Sequence, residues 1–269
     1  MSINSYVDSK FKLKGRPGKA YYKAVSDGLN KFIKHNDWYI NLPEEENRNS
    51  SVDLECSYLC HGIWTKLTKN ESNNGKPYSN NHFYLKNSRI ENEILFHFDI
   101  MNNPKKKSCG LANCCSEQEL QNWQRIYHSI GNMTPIPWFK VKGERYINGQ
   151  ALHNALDERW DLFLNTLEKN WNIWNSTSSF TFKSYMLLTY QHIYYEDIYD
   201  DYKSNVKNIE NINLKILEKW NKYITENNNL KIISFLDLDY KEESIASLIT
   251  DLIKIRCHII GLLLKENQF

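Results

Sequence analysis

His192, Glu196 and Asp200 recur at intervals of four within the run His192-x3-Glu196-Asp197-x2-Asp200-Asp201. On a continuous α-helix this spacing places an imidazole and two carboxylates on one face, close enough to share a divalent metal ion. The chemistry would be that of a metal-dependent nuclease, with these three residues as the catalytic set. The interleaved Tyr194, Tyr195, Tyr199 and Tyr202 support a second reading, in which the acidic residues form a solvated face, the tyrosines pack inward, and the face serves a protein partner.

Two cysteine clusters, Cys56-x3-Cys60-His61 and Cys109-x4-Cys114-Cys115, supply soft ligands. Cys56, Cys60, Cys109 and Cys114 could assemble tetrahedral zinc, making a zinc-stabilised scaffold the third functional reading. Structural zinc usually takes tighter pairs on knuckles, and buried thiols account for the same residues. The stretch Leu59-Cys60-His61-Gly62, with the later Tyr78 and Tyr84, resembles the strand His-Gly and downstream Tyr of ADP-ribosyltransferases. That resemblance implies His61 on the NAD ribose and Tyr78 or Tyr84 stacked on the ring, although no matching catalytic Glu can be placed. Asp239-Tyr240-Lys241 has the acid-x-Lys order of some nucleases without a matched upstream acid. No P-loop, dinucleotide glycine fingerprint, G-x-S-x-G or H-E-x-x-H is present.

Composition narrows the classes further. The 34 basic and 32 acidic residues leave a net charge of +2, so no global field gathers polyanions, and nucleic acid is not an indicated partner. The Lys105–Lys107 triplet reads as a solvated loop. Leu, Ile, Val and Phe number 69 of 269 residues, enough for a sizeable core and against disorder. The first 25 residues are charged and lack an apolar stretch of signal-peptide type, and Ile245–Leu264 carries Asp251, Lys254, Arg256 and His258. The expectation is a cytoplasmic protein with no membrane span. The 33 Asn, 27 Lys and 26 Ile against 7 Arg and 5 Val are the bias of AT-rich codons, pointing to a low-GC bacterium or its phage.

These residues need elements to position them. Arg16-Pro17-Gly18 opens a predicted helix to about Asn36, and residues 52–66 read as strands. Phe83–Leu85 and Ile94–Ile100 read as a hairpin around residues 87–89. Ser116-Glu117-Gln118-Glu119 is a capping box opening a helix to about His128. Prolines 135 and 137 and glycines 131, 143 and 149 predict an irregular crossing with short extended pieces. Beyond about Asn154 the period becomes helical, through Trp160, Leu164, Leu167 and Trp171. Ser178 or Ser179 is the expected cap of the next helix. Ile209–Ile224 and Glu243–Lys265 are predicted helices, and Leu230–Leu238 a short strand. The fold class is α+β: a small antiparallel or mixed sheet in residues 1–150 packed with a mostly helical portion in residues 151–269, as two domains or one intertwined domain.

The stretch from Ile147-Asn148-Gly149 through Asp157-Glu158-Arg159-Trp160-Asp161-Leu162 resembles a family of uncharacterised bacterial proteins of about this length. Tyr127–Pro137, Tyr185–Tyr202 and Phe235–Asp239 share in the resemblance, which is strongest over residues 127–202. It implies a common fold and no particular chemistry. Asn148, Arg159 and Asp161 are its best-matching polar set and join His61 and Tyr84 as candidate binding residues. Balanced charge and missing catalytic signatures favour an interaction protein over an enzyme on nucleotides or nucleic acid. The expected partners are a protein and further copies of the chain, in phage–host conflict.

Overall fold

The computed structural model describes residues 64, 67, 83–85, 94–102, 115–127, 129–137, 140–141, 145–146, 160–174, 180–235 and 244–266, and they are mostly helical. Three strands pair in antiparallel order. Strand β2 (Ile94–Ile100) lies between β1 (Phe83–Leu85) and β3 (Met133–Pro137), with Phe83 opposite Phe96 and Ile100 opposite Met133. β3 carries Pro135 and Pro137, which cannot donate to a ladder on both sides, and it accordingly sits at an edge. A separate two-residue pair joins β4 (Lys140–Val141) to β5 (Arg145–Tyr146).

Helix α1 (Glu117–Ile126) begins as its capping box directs. The Glu119 carboxylate accepts the Ser116 amide at 2.8 Å and the Ser116 hydroxyl accepts the Glu119 amide at 3.4 Å, so two donors without intrahelical partners are satisfied. Helix α2 (Trp160–Trp174) buries Trp160, Phe163, Leu164, Leu167 and Trp171, the stripe its period predicts. Helix α3 (Phe182–Leu188) is capped by Thr181, not by Ser178 or Ser179. The Thr181 hydroxyl accepts the Ser184 amide at 3.1 Å from an extended backbone immediately before Phe182.

The end of α3 is a Schellman turn made without glycine. Gln191 donates its amide to Met186 O at 2.8 Å and Tyr190 to Leu187 O at 3.3 Å, while Tyr190 takes φ 54°. Tyr190 offsets this left-handed strain by stacking its ring on buried Trp64, centroids 6.1 Å apart. Helix α4 (Glu196–Asp201) runs directly into a π-turn, Tyr202–Val206, that ends at Lys207 with φ 51°. Lys207 is exposed, and the bond its conformation makes, from its amide to Tyr202 O at 3.0 Å, is one that glycine keeps. Lys207→Gly is therefore expected to stabilise the fold by roughly 0.5–1 kcal/mol, a Tm rise of about 1–4 °C by calorimetry. A fall in Tm would show that the lysine side chain, not the backbone, decides at this position.

The predicted helix over 209–224 divides into a 3-10 turn, Ile209–Asn211, and helix α5 (Leu214–Glu226). Asn213 explains the break. Its side-chain oxygen accepts the Lys215 and Ile216 amides at 3.0 and 3.3 Å, an N-cap that competes with helix continuation. Residues 230–235 hold only an isolated antiparallel bridge, Ile232 with Tyr195, where the apolar run predicts a strand. Helix α6 (Ile245–Glu266) is apolar nearly all round and is the centre of the core, packed on α1, α5 and the 3-10 turns Ile130–Asn132, His192–Tyr194 and Ile209–Asn211. Among the described residues no helix is long and apolar enough to cross a membrane.

Candidate functional site

The four-residue spacing of His192, Glu196 and Asp200 does not become a common face. His192 opens a 3-10 turn, Tyr195 is extended at φ −84° and ψ 135°, and α4 starts afresh at Glu196. The break has a specific cause. Tyr195 bridges Ile232, with Ile233 donating its amide to Tyr194 O at 2.8 Å and Glu196 to Lys231 O at 2.9 Å, and these bonds need extended backbone. His192 is thereby fully buried, Glu196 pairs with Lys231 at 3.0 Å, and Asp200 faces solvent. Among the described residues no three His, Cys, Asp or Glu side chains are grouped to hold a metal ion. The shared metal site expected of this run is corrected accordingly. The four interleaved tyrosines are buried, as the solvated-face reading requires.

That solvated face forms one wall of a groove. Asp197, Ile198 and Asp201 of α4 face Lys219, Trp220, Lys222, Tyr223 and Glu226 of α5 across a cavity of about 490 Å³. Asp201 is its best-anchored residue, accepting Lys219 Nζ and Asn205 Nδ2 at 2.7 Å and the Trp220 indole N–H at 2.9 Å. Partial burial works against its charge, but these donors together hold its carboxyl below the ordinary range. Asp197 accepts the Tyr223 hydroxyl at 2.5 Å, which pushes the phenol's pKa upward. The walls are thus two helices cross-braced by hydrogen bonds, which hold Tyr223 in place.

Behind the groove lies a buried polar hub centred on Arg256 of α6. Its Nε and Nη2 donate to Thr189 O at 3.2 and 2.8 Å, and Nη1 donates to Gly131 O and Met133 O at 2.9 and 2.6 Å. Nη2 also reaches Thr134 Oγ1 at 3.3 Å, and the guanidinium lies over the Trp64 ring, 5.4 Å from its centroid. Thr189 is the C-cap of α3 and Gly131 lies in the 3-10 turn before β3, so Arg256 satisfies carbonyls that element ends leave open. Burial lowers its pKa to about 10, which leaves it charged at neutral pH. Gln191 extends the hub, accepting the Trp160 indole N–H at 3.0 Å and donating to Thr134 Oγ1 at 2.5 Å and Tyr185 Oη at 3.2 Å. The hub ties residues before 150 to the helices beyond it.

The remaining predicted site residues fall in three places. Asp161 is 1 % exposed and accepts the Phe235 amide at 3.0 Å, a bracket between α2 and the chain at 235 that no partner can reach. Tyr84 lies in β1, its side chain outside the described residues. Asn148, Arg159, His61, Cys56, Cys60, Cys109 and Cys114 also lie outside them, as does Asp239-Tyr240-Lys241. Sequence reasoning did not single out Thr189, Gln191 or the clamp of Arg256. One signal for the last was present: a lone Arg within the apolar run of α6, where a charge is retained only if its donors are used. Comparison with protein-family models, with curated proteins and with solved structures returns no match to this chain.

Proposed function

We propose that the protein is a protein-binding component of phage–host conflict and that its partner docks in the groove between α4 and α5. The groove itself carries the reading: a cavity of about 490 Å³ in which Asp201 pairs with Lys219 and Glu226 with Lys222, and whose wall presents Tyr223 held by Asp197. Tyrosine supplies large contact area at low entropic cost, and it is enriched where partners bind. The AT-rich bias and balanced charge support a bacterial or phage protein working on another protein. Further copies of the same chain are the second expected partner. We place the groove on an α+β framework, its sheet contributed by the first 150 residues. Of the segments that resemble the uncharacterised bacterial family, 127–137 contributes to the hub, whereas 185–202 contributes to the hub through Thr189 and Gln191 and to the groove wall through Asp197, Ile198 and Asp201.

Tyr223→Ala tests the reading. Partner captured by cross-linking from the producing host, then quantified by titration, is expected to bind about 30-fold more weakly to the variant, the effect of removing a tyrosine hot spot. A Tm lowered by no more than a few degrees must accompany the loss, because Tyr223 also braces α4 through Asp197. Equal affinity of the two proteins would remove the groove as the binding site, and phosphodiester or NAD turnover by purified protein would replace binding with enzymatic action.

A further inference from the structure

His192 lies directly behind the groove. Its ring is fully buried, neither ring nitrogen has a hydrogen-bond partner among the described residues, and it meets the Trp220 indole edge-on with centroids 6.5 Å apart. Trp220 is the residue whose indole N–H holds Asp201 across the groove. The turn carrying His192 is short and bounded on both sides by non-helical backbone, Tyr190 at φ 54° before it and extended Tyr195 after it. A 3-10 turn with such boundaries can move without unwinding a long helix.

We propose that the turn His192–Tyr194 is an acid-sensitive latch: a proton on His192 drives the turn from beneath Trp220 and loosens the wall of the α4–α5 groove. A neutral imidazole fits the buried site, whereas an imidazolium has two donors and, among the described residues, no acceptor in hydrogen-bonding position. The Met186 carbonyl, already bonded to the Gln191 amide, favours the cation without forming such a bond. The surrounding charges do not help. From α6 the ring meets the field of Arg256, which opposes a second positive charge, and α5 presents the Trp220 indole. The α4 carboxylates of Glu196 and Asp201 are directed to Lys231 and Lys219, Lys231 itself lying on the bridged segment beside the turn. Burial, first, and Arg256 bring the imidazole pKa down to about 4 from an ordinary 6.5.

The sign follows. In the closed state the imidazole binds a proton less readily than in the opened state, so the closed form loses stability as pH falls below about 6.5 and the loss levels off near pH 4. Between pH 7.5 and 5 the opening equilibrium of the turn is expected to rise about 30-fold.

Hydrogen exchange on the full chain, corrected for the intrinsic pH dependence of amide exchange, measures this directly. Amides of 192–199 and 217–224 are expected to lose protection on acidification while those of α2 and α6 keep theirs. In His192→Phe, and independently in His192→Met, the change is expected to vanish. The same acid response in either folded variant, or simultaneous opening of α2 and α6 in the wild type, would overturn the latch. The inference rests on the groove reading only for its consequence. Exchange needs no partner, so failure of the latch and failure of partner binding are separately visible.

Discussion

Gly131→Ala is expected to cost about 3 kcal/mol or more and to lower Tm by on the order of 10 °C, with loss of soluble protein on expression. A Cβ at this position would lie 2.2 Å from Ile253 O, 2.6 Å from Cys257 Sγ and 2.7 Å from Cys257 N. Two of these atoms are backbone of α6, a 22-residue helix buried on nearly every side, so relief requires moving the whole helix and not one rotamer. The same approach permits the Gly131 amide to donate to Cys257 Sγ at 3.2 Å and the Gly131 carbonyl to accept from Arg256. Thermal unfolding followed by circular dichroism is the measurement. A Tm within a degree of the wild type would mean that the 3-10 turn and α6 are not in this close contact.

Arg256→Met should lower stability by about 3 kcal/mol, and Arg256→Lys by at least as much. Two effects oppose each other in the methionine variant. Losing the cation removes a desolvation penalty of several kcal/mol, but the carbonyls of Thr189, Gly131 and Met133 lose their donor in a place sealed from water, at roughly 1–3 kcal/mol each. Three lost donor contacts outweigh one relieved charge. Lysine keeps the charge while losing the fork that spans two elements at once. Urea denaturation of the three proteins decides the question. If Arg256→Met were more stable than the wild type, the guanidinium would be a net cost kept for another reason, and the hub would not be what holds α3 and β3 to α6.

Both predictions concern contacts whose partners no local pattern names, which marks the boundary of what can be read from residues in a row. The capping box at Ser116 and Glu119, the stripe from Trp160 to Trp171 and the bulk of α6 were legible because they depend on neighbours within one or two turns. Local competition already blurs this at Asn213, whose cap splits a helix that period alone makes continuous. The spacing of His192, Glu196 and Asp200 misleads for a different reason. Lys231 and Ile233, more than thirty residues away, bond to the backbone of Glu196 and Tyr194 and hold Tyr195 extended where helical period requires a helical residue.

By itself, then, the sequence determined the helix opened by the Ser116 capping box, the buried stripe of α2, the bulk of α6 and the absence of a global charge field, all of which follow from short-range geometry and composition. Tertiary structure alone decided that Asp161 is an internal bracket, that Arg256 spends its donors on carbonyls of the α3 end, the turn at 130–132 and β3, and that His192 sits beneath Trp220 with no hydrogen-bond partner among the described residues. Each of those outcomes depends on which distant backbone atoms arrive beside a side chain. A polar side chain becomes a solvent face, a clamp or a latch according to the partners and the dielectric it meets there, and neither is encoded in spacing.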